Sequence, residues 1–202
     1  MNHIPPILSE EKPLRLYNRS SLPEEEVREL ANFASRGVQD TEVLVEVTDT
    51  DKEYWSGVAW DIGTNKPAFY ASSLPQKYID RYWAKGKNSQ YRYFVLIRVP
   101  APEHRTRHWH FSQKWMKKKY PNGVSVETWQ DNFVMLVAHE FRHVWQFLRN
   151  KRLRAAGKKR KQTTEVDAEK HAVSIYNQWR EKTNRPLIEA IKQPNPFAKA
   201  VA

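Results

Sequence analysis

The chain contains no cysteine. That absence excludes a disulfide framework and a thiolate metal site alike, so any metal it binds is held by histidine and carboxylate. Long apolar runs are missing too: nowhere do about eighteen apolar residues follow one another, so no stretch reads as a membrane-spanning helix. The opening, MNHIPPILSEEKP, lacks the basic start and continuous apolar core of a secretory signal, and the expectation is a soluble cytoplasmic protein. Acids are fewer than bases, 23 against 34, which leaves a formal charge of +11. There is no internal repeat. What is present is a chain of 202 residues, 40% hydrophobic with eight Trp, enough for one domain with a proper core.

The most informative stretch is Trp129 to Asn150, which carries His139-Glu140-Phe141-Arg142-His143, an HExxH pattern. At about 3.6 residues per turn the two histidines stand one turn apart on one helix face, so both imidazoles can reach a single ion. Glu140 lies about 100° further round. From there a carboxylate can reach a metal-bound water without binding the metal, as a general base must. Phe133, Met135, Leu136, Val137, Phe141, Val144, Trp145, Phe147 and Leu148 cover nearly every side of this stretch, and no Gly or Pro interrupts it. A helix that apolar is buried. Two histidines beside a glutamate can arise by accident, in on the order of one chain in a hundred of this length. A buried helix, however, has no cheap reason to hold three titratable groups within five residues.

Around this helix the coarse reading is α+β. Residues 1–13 read as a mobile segment rich in proline, and Leu14 to Asn18 as a short strand. Ser21-Leu22-Pro23-Glu24 reads as a capping box opening a helix that ends at Gly37. Thr41 to Thr48 alternates Val43, Val45 and Val47 against Glu42, Leu44 and Glu46, which predicts a strand. Tyr54 to Trp60 and Ala68 to Ser72 are further strand candidates, Pro75 to Trp83 a short helix, and Tyr91 to Val99 a strand. Ala101 to Gly123 reads as loop and short helix. Gly157 is a break, Thr163 to Lys182 a second long helix with Val166, Val173, Tyr176 and Trp179 inward, and Asn184-Arg185-Pro186 its end. The domain is expected over 14–183, with 184–202 a C-terminal tail.

A catalytic zinc site needs a third protein ligand and one position for water. The second long helix offers candidates in Glu165-Val166-Asp167-Ala168-Glu169-Lys170-His171, where Glu165 and Glu169 share a face one turn apart. At this point the chain resembles the gluzincin metallopeptidases, in which HExxH is followed by a helix carrying a ligand Glu in a motif such as Glu-x-x-Ala-Asp. Glu165 to Glu169 fits at that spacing, with Glu169 where Asp is more usual. The resemblance implies that His139, His143 and Glu165 bind one zinc ion per chain, that Glu140 is the catalytic base, and that Glu169 orients a ligand imidazole. It further implies a zincin-like fold, a small mixed or antiparallel sheet packed on the HExxH helix, most like small cytoplasmic proteins of the ImmA/IrrE-like or SprT-like kind. The activity implied is hydrolysis of peptide bonds in a protein or peptide substrate through a zinc-bound water. An extended substrate would pair with an edge strand beside the helix, and Tyr91 to Val99 is the candidate for a strand near it.

Other residues compete for these roles. Asp167 reads as a solvent or capping residue rather than a ligand. His171 is a candidate third ligand, in the SprT-like manner, or a transition-state donor, against the plainer reading of a structural histidine. Tyr120 and Tyr176 are candidate oxyanion donors, with core packing the simpler reading for Tyr176. His108 and His110 have no acid beside them and read as an exposed loop.

The surplus charge is concentrated between the two long helices. Arg149, Lys151, Arg152, Arg154, Lys158, Lys159, Arg160 and Lys161 include no acid among them, and residues 149–161 read as a basic inter-helix segment. A solvated loop is the plain interpretation. The sharper one is a contact with nucleic acid or an acidic partner that recruits the peptidase, supported by Arg105, Arg107, Lys114 and Lys117 to Lys119 interleaved with Trp109, Phe111 and Trp115. The alternative function is a basic nucleic-acid-binding protein whose zinc site is structural.

Overall fold

The structure is a computed structural model, and it describes residues 14–36, 43–62, 75–83, 91–106, 109–157 and 165–188, the side chain of residue 154 excepted. Among these residues it is α+β, with one small mixed sheet of four strands and five α-helices. In chain order the elements are β1 (Arg15–Arg19), α1 (Glu24–Ala34), β2 (Val43–Asp49), β3 (Ser56–Asp61), α2 (Gln76–Tyr82), β4 (Tyr93–Val99), α3 (Lys114–Lys119), α4 (Trp129–Ala155) and α5 (Glu165–Lys182). The sheet order is β1-β2-β4-β3. The first three strands run parallel, and β3 closes one edge antiparallel to β4, with Val58 opposite Leu96.

Strand alternation builds two cores. Val43, Val45 and Val47 of β2 and Val95 and Ile97 of β4 face α1 and α4, where Phe133, Val134, Val137 and Phe141 complete the main cluster. Each large side chain buried there contributes about 1.5–3 kcal/mol. Leu44, Phe94, Leu96 and Trp60 face the other way, onto Tyr78 and Tyr82 of α2. The second face of β2, which carries Leu44 and Glu46, is covered by α2. Glu46 is fully buried there, accepting hydrogen bonds from the Tyr82 hydroxyl and from Arg81 at 2.8 Å. Burial and the bond to Glu46 push the Tyr82 phenol up to about 12, although Arg19 pulls it down.

The helix ends follow their local chemistry. Thr128 and Asp131 open α4: the Asp131 carboxylate accepts from the backbone N–H groups of Glu127 and Thr128 at 3.0 and 3.1 Å. Two arginine nitrogens of Arg185 hold the same carboxylate at 3.0 and 2.6 Å. Gly157, at φ +65°, follows the end of α4, and Asn184, at φ 54°, closes α5 with Arg185 N–H donating to Arg180 C=O. The capping box expected at Ser21 does not form. Pro23 takes the cap position, and Ser21 donates from its backbone and hydroxyl to Asp49 at 2.9 and 3.1 Å, because β2 ends beside it. The helix α4 also runs further than expected: no Gly or Pro interrupts it before Gly157, so Arg149, Lys151 and Arg152 ride on its last turns rather than on a connecting loop. The strand expected at 68–72 and the ends of the chain, 1–13 and 189–202, lie outside the described residues. No described helix is long and apolar enough to cross a membrane.

Candidate metal centre

The apolar sides of α4 decide where its polar residues go. With Phe133, Val134, Val137 and Phe141 packed on the sheet and α1, the face bearing His139 and His143 turns toward the first two turns of α5. Glu165 comes from there. His139 Nε2 lies 3.1 Å from His143 Nε2, 3.2 Å from Glu165 Oε2, and His143 Nε2 lies 3.3 Å from Glu165 Oε1. Among the described residues these three are the group of His and acidic side chains whose ligand atoms converge, all within 4.8 Å. The two histidines meet different oxygens of Glu165, and a group of two imidazoles and a carboxylate this close together could hold a metal ion. Both histidines are nearly buried, while Glu165 is half exposed, which leaves one side of the cluster open.

Protonation follows the crowding. Burial alone would lower the His139 pKa, but the Glu165 hydrogen bond and the charges of Glu140 and Glu165 raise it. At His143 burial and the neighbouring His139 charge win, and the pKa is lowered. The hydrogen bond from His139 holds Glu165 below its ordinary range. Two imidazoles whose nitrogens lie 3.1 Å apart cannot both carry a proton cheaply.

Glu140 stays out of the ligand group. Its side chain lies against β3, where a Cβ at Gly57 would stand 2.7 Å from both Glu140 Cγ and Oε1, so only glycine leaves room for it. Burial pushes its carboxyl up to about 7, against the pull of the His139 charge and a backbone N–H of Ala59. The strand beside the helix is thus β3, which ends the sheet order among the described residues. The strand predicted from Tyr91–Val99 is interior, because β3 pairs outside it.

The remaining candidates separate clearly. Glu169 is buried on α5, and its Oε1 accepts from Ser112 N–H at 2.6 Å and Ser112 Oγ–H at 2.8 Å. Its Oε2 has no partner, and neither has the buried Nδ1 of His139, so the imidazole contact expected for Glu169 is not made, although both atoms stand ready for one. Asp167 is neither a ligand nor a solvent residue: it takes a bidentate ion pair from Arg142, 2.8 and 3.0 Å, and a bond from Gln146 Nε2 at 2.9 Å. Gln146 Oε1 in turn lies 3.1 Å from His143 Nδ1. His171 is half-buried beside Arg142 and Asp167, its pKa lowered by burial and the Arg142 charge, and it does not join the cluster. Tyr120 packs 5.3 Å from Phe111 in an apolar cluster with Met116, Val124 and Tyr176, which is a packing role. His110 is exposed, and residues 108 and 158–161 lie outside the described residues.

Sequence reasoning missed Gln146, Gly57, Ala59 and Ser112. Gln146 stands three residues after His143, within helical reach, so its spacing was a usable signal. The other three come from distant segments and leave none. Comparison of the chain with protein-family models, with curated proteins and with solved structures finds no match, so the chemistry of this centre rests on its own residues.

Proposed function

We propose that the chain is a zinc-dependent metallopeptidase of zincin-like architecture, with His139, His143 and Glu165 holding the ion and Glu140 as general base. The observation that carries this reading is the convergence of one ligand atom each from His139, His143 and Glu165 within 4.8 Å, with a buried carboxylate beside them that is not in the group. An all-nitrogen-and-oxygen set of three protein ligands suits a catalytic zinc, which supplies Lewis acidity, acidifying water to a pKa of about 7 and polarising a carbonyl. The chain's own residues do the rest. Glu140, buried beside the ligand group without joining it, is placed to take a proton from water and return it to a leaving amine. Gly57 and Ala59 hold it in place. Among the described residues no strand pairs on the outer side of β3, and that side would offer backbone groups to an extended peptide.

The alternative, a nucleic-acid-binding protein with a structural zinc, draws on the cationic surface around exposed Trp115, with Lys170 4.0 Å and Lys119 5.5 Å from its ring. A structural site closes with a fourth protein ligand, and among the described residues this cluster has three. The peptidase reading is therefore preferred, with that surface a candidate recruiting face for nucleic acid or an acidic partner.

The test is zinc content by elemental analysis together with cleavage of labelled casein. Wild type should carry one zinc, His143→Ala should carry none, and Glu140→Gln should keep the zinc but lose cleavage. A Gln variant that cuts as fast as wild type would refute the mechanism.

A further inference from the structure

Arg142, Asp167, Gln146 and His143 form one directed chain of hydrogen bonds behind the cluster, and direction is what matters. A carboxylate only accepts. Asp167, held by both nitrogens of the Arg142 fork, therefore requires a donor from Gln146, and the Gln146 amide meets it with Nε2 at 2.9 Å. Turned the other way, the amide would set its oxygen against a carboxylate inside a buried site. With the nitrogen committed, the atom left facing His143 is Oε1, at 3.1 Å, which can only accept. His143 must then carry its proton on Nδ1. Its Nε2, 3.1 Å from His139 Nε2 and 3.3 Å from Glu165 Oε1, is the nitrogen that faces the cluster and would bind the metal.

We infer that Gln146, oriented by Asp167 and Arg142, is a positioning residue that fixes His143 in the tautomer able to bind a metal. The inference rests on the reading of His139, His143 and Glu165 as a metal site, but the tautomer is a property of the metal-free protein. The same ion pair joins α4 to α5 two residues beyond Glu165, so the ligand helix and the ligand tautomer are held by one contact. Arg142 is itself braced by the Trp145 ring, 3.9 Å from its guanidinium carbon.

The experiment has two readouts, both on the full chain. First, imidazole nitrogen shifts of metal-free protein at about pH 8, above the ordinary imidazole range, should show His143 protonated at Nδ1, and Gln146→Met should move the proton toward Nε2. Second, competition between protein and a chelator for zinc should show an affinity lower by about 10- to 100-fold in Gln146→Met and in Asp167→Asn. Asp167→Asn lets the Gln146 amide invert. Adding Gln146→Glu to it restores a chain of one direction, because the introduced carboxylate accepts from both sides, so the double variant should recover affinity. A purely structural ion pair would not be rescued in this way. Gln146→Met leaves the Arg142–Asp167 pair intact and serves if Asp167→Asn fails to fold. A wild-type His143 protonated at Nε2, or a tautomer unchanged in Gln146→Met, overturns the inference. Absence of zinc binding in wild type would refute the metal site instead, and leaves the nitrogen shifts to decide the tautomer.

Discussion

Asp131 and Glu140 are buried carboxylates on the same helix, about 2.5 turns apart, and their environments drive them in opposite directions. Burial would raise both. At Asp131 it is outweighed by the two-pronged bond from Arg185 and by two backbone N–H groups, and the carboxyl sits below its ordinary value. At Glu140 a single backbone donor and the His139 charge do not outweigh it, and the carboxyl rises to about 7. Glu46, on the other face of the sheet, resembles Asp131 in having a cation and a further donor as partners. The difference teaches that burial does not mark a functional acid; lack of partners does. A fully paired carboxylate anchors structure, while one left short of donors can exchange a proton near neutral pH.

The largest effect that would break this contrast is expected at Glu140. Glu140→Gln should lower turnover of a peptide substrate by about 10²–10⁴-fold. The same change should stabilise the metal-free protein at alkaline pH. With a folded pKa of about 7 and an unfolded one of about 4.3, the folded wild type binds more protons between those values, so its stability falls as pH rises through them. Thermal unfolding of the two proteins in chelator at about pH 5 and about pH 8 checks the sign, and a Gln variant no more stable than wild type at the higher pH would contradict the assignment.

Next comes Gly57→Ala. The added methyl would stand 2.7 Å from Glu140 and 2.9 Å from Leu136 Cδ1, so the carboxylate must move, and a displacement of that kind costs about 10²-fold in rate. Zinc content should not change, because no ligand is displaced. Equal activity in the Ala variant would mean that Glu140 does not work from this position.

Arg185→Ala tests the anchored partner. Removing it should destabilise the fold by about 1.5–3 kcal/mol at neutral pH with cleavage retained. The pH dependence should shift as well. A lowered folded pKa gives stability that is present above the unfolded value of about 3.9 and is lost as pH falls through the folded one. Wild type should therefore lose this contribution only in acid, and the variant should show a smaller acid-dependent loss, measured by denaturant unfolding. The smallest effect is expected for Tyr82→Phe, which removes one of the donors to Glu46 and should cost about 1 kcal/mol without changing cleavage.

Much of this centre was legible before any coordinates. HExxH on an apolar helix with no breaker implies two imidazoles on one face, and Glu165 at the start of a second helix implies a ligand able to reach them. Asp167 shows where such reading ends. Helical periodicity placed it away from Glu169's side and read it as a solvent or capping residue, and its partners Arg142 and Gln146 come from another helix, where spacing along α5 says nothing. Ser21 fails for the same reason: its capping pattern is sound locally, and Asp49 outcompetes it from 28 residues away.

By itself the sequence determined the helices, most of the strands, the two imidazoles and the acid next to them, since each depends on spacing along one element and on which residues avoid water. Only the tertiary structure decided that β3 is the strand beside Glu140, that Gly57 leaves room for its side chain, that Glu169 turns to Ser112, and that Gln146 lies between Asp167 and His143. Those outcomes depend on donors and acceptors brought together from distant segments, and a buried polar atom takes whichever partner the packing sets beside it.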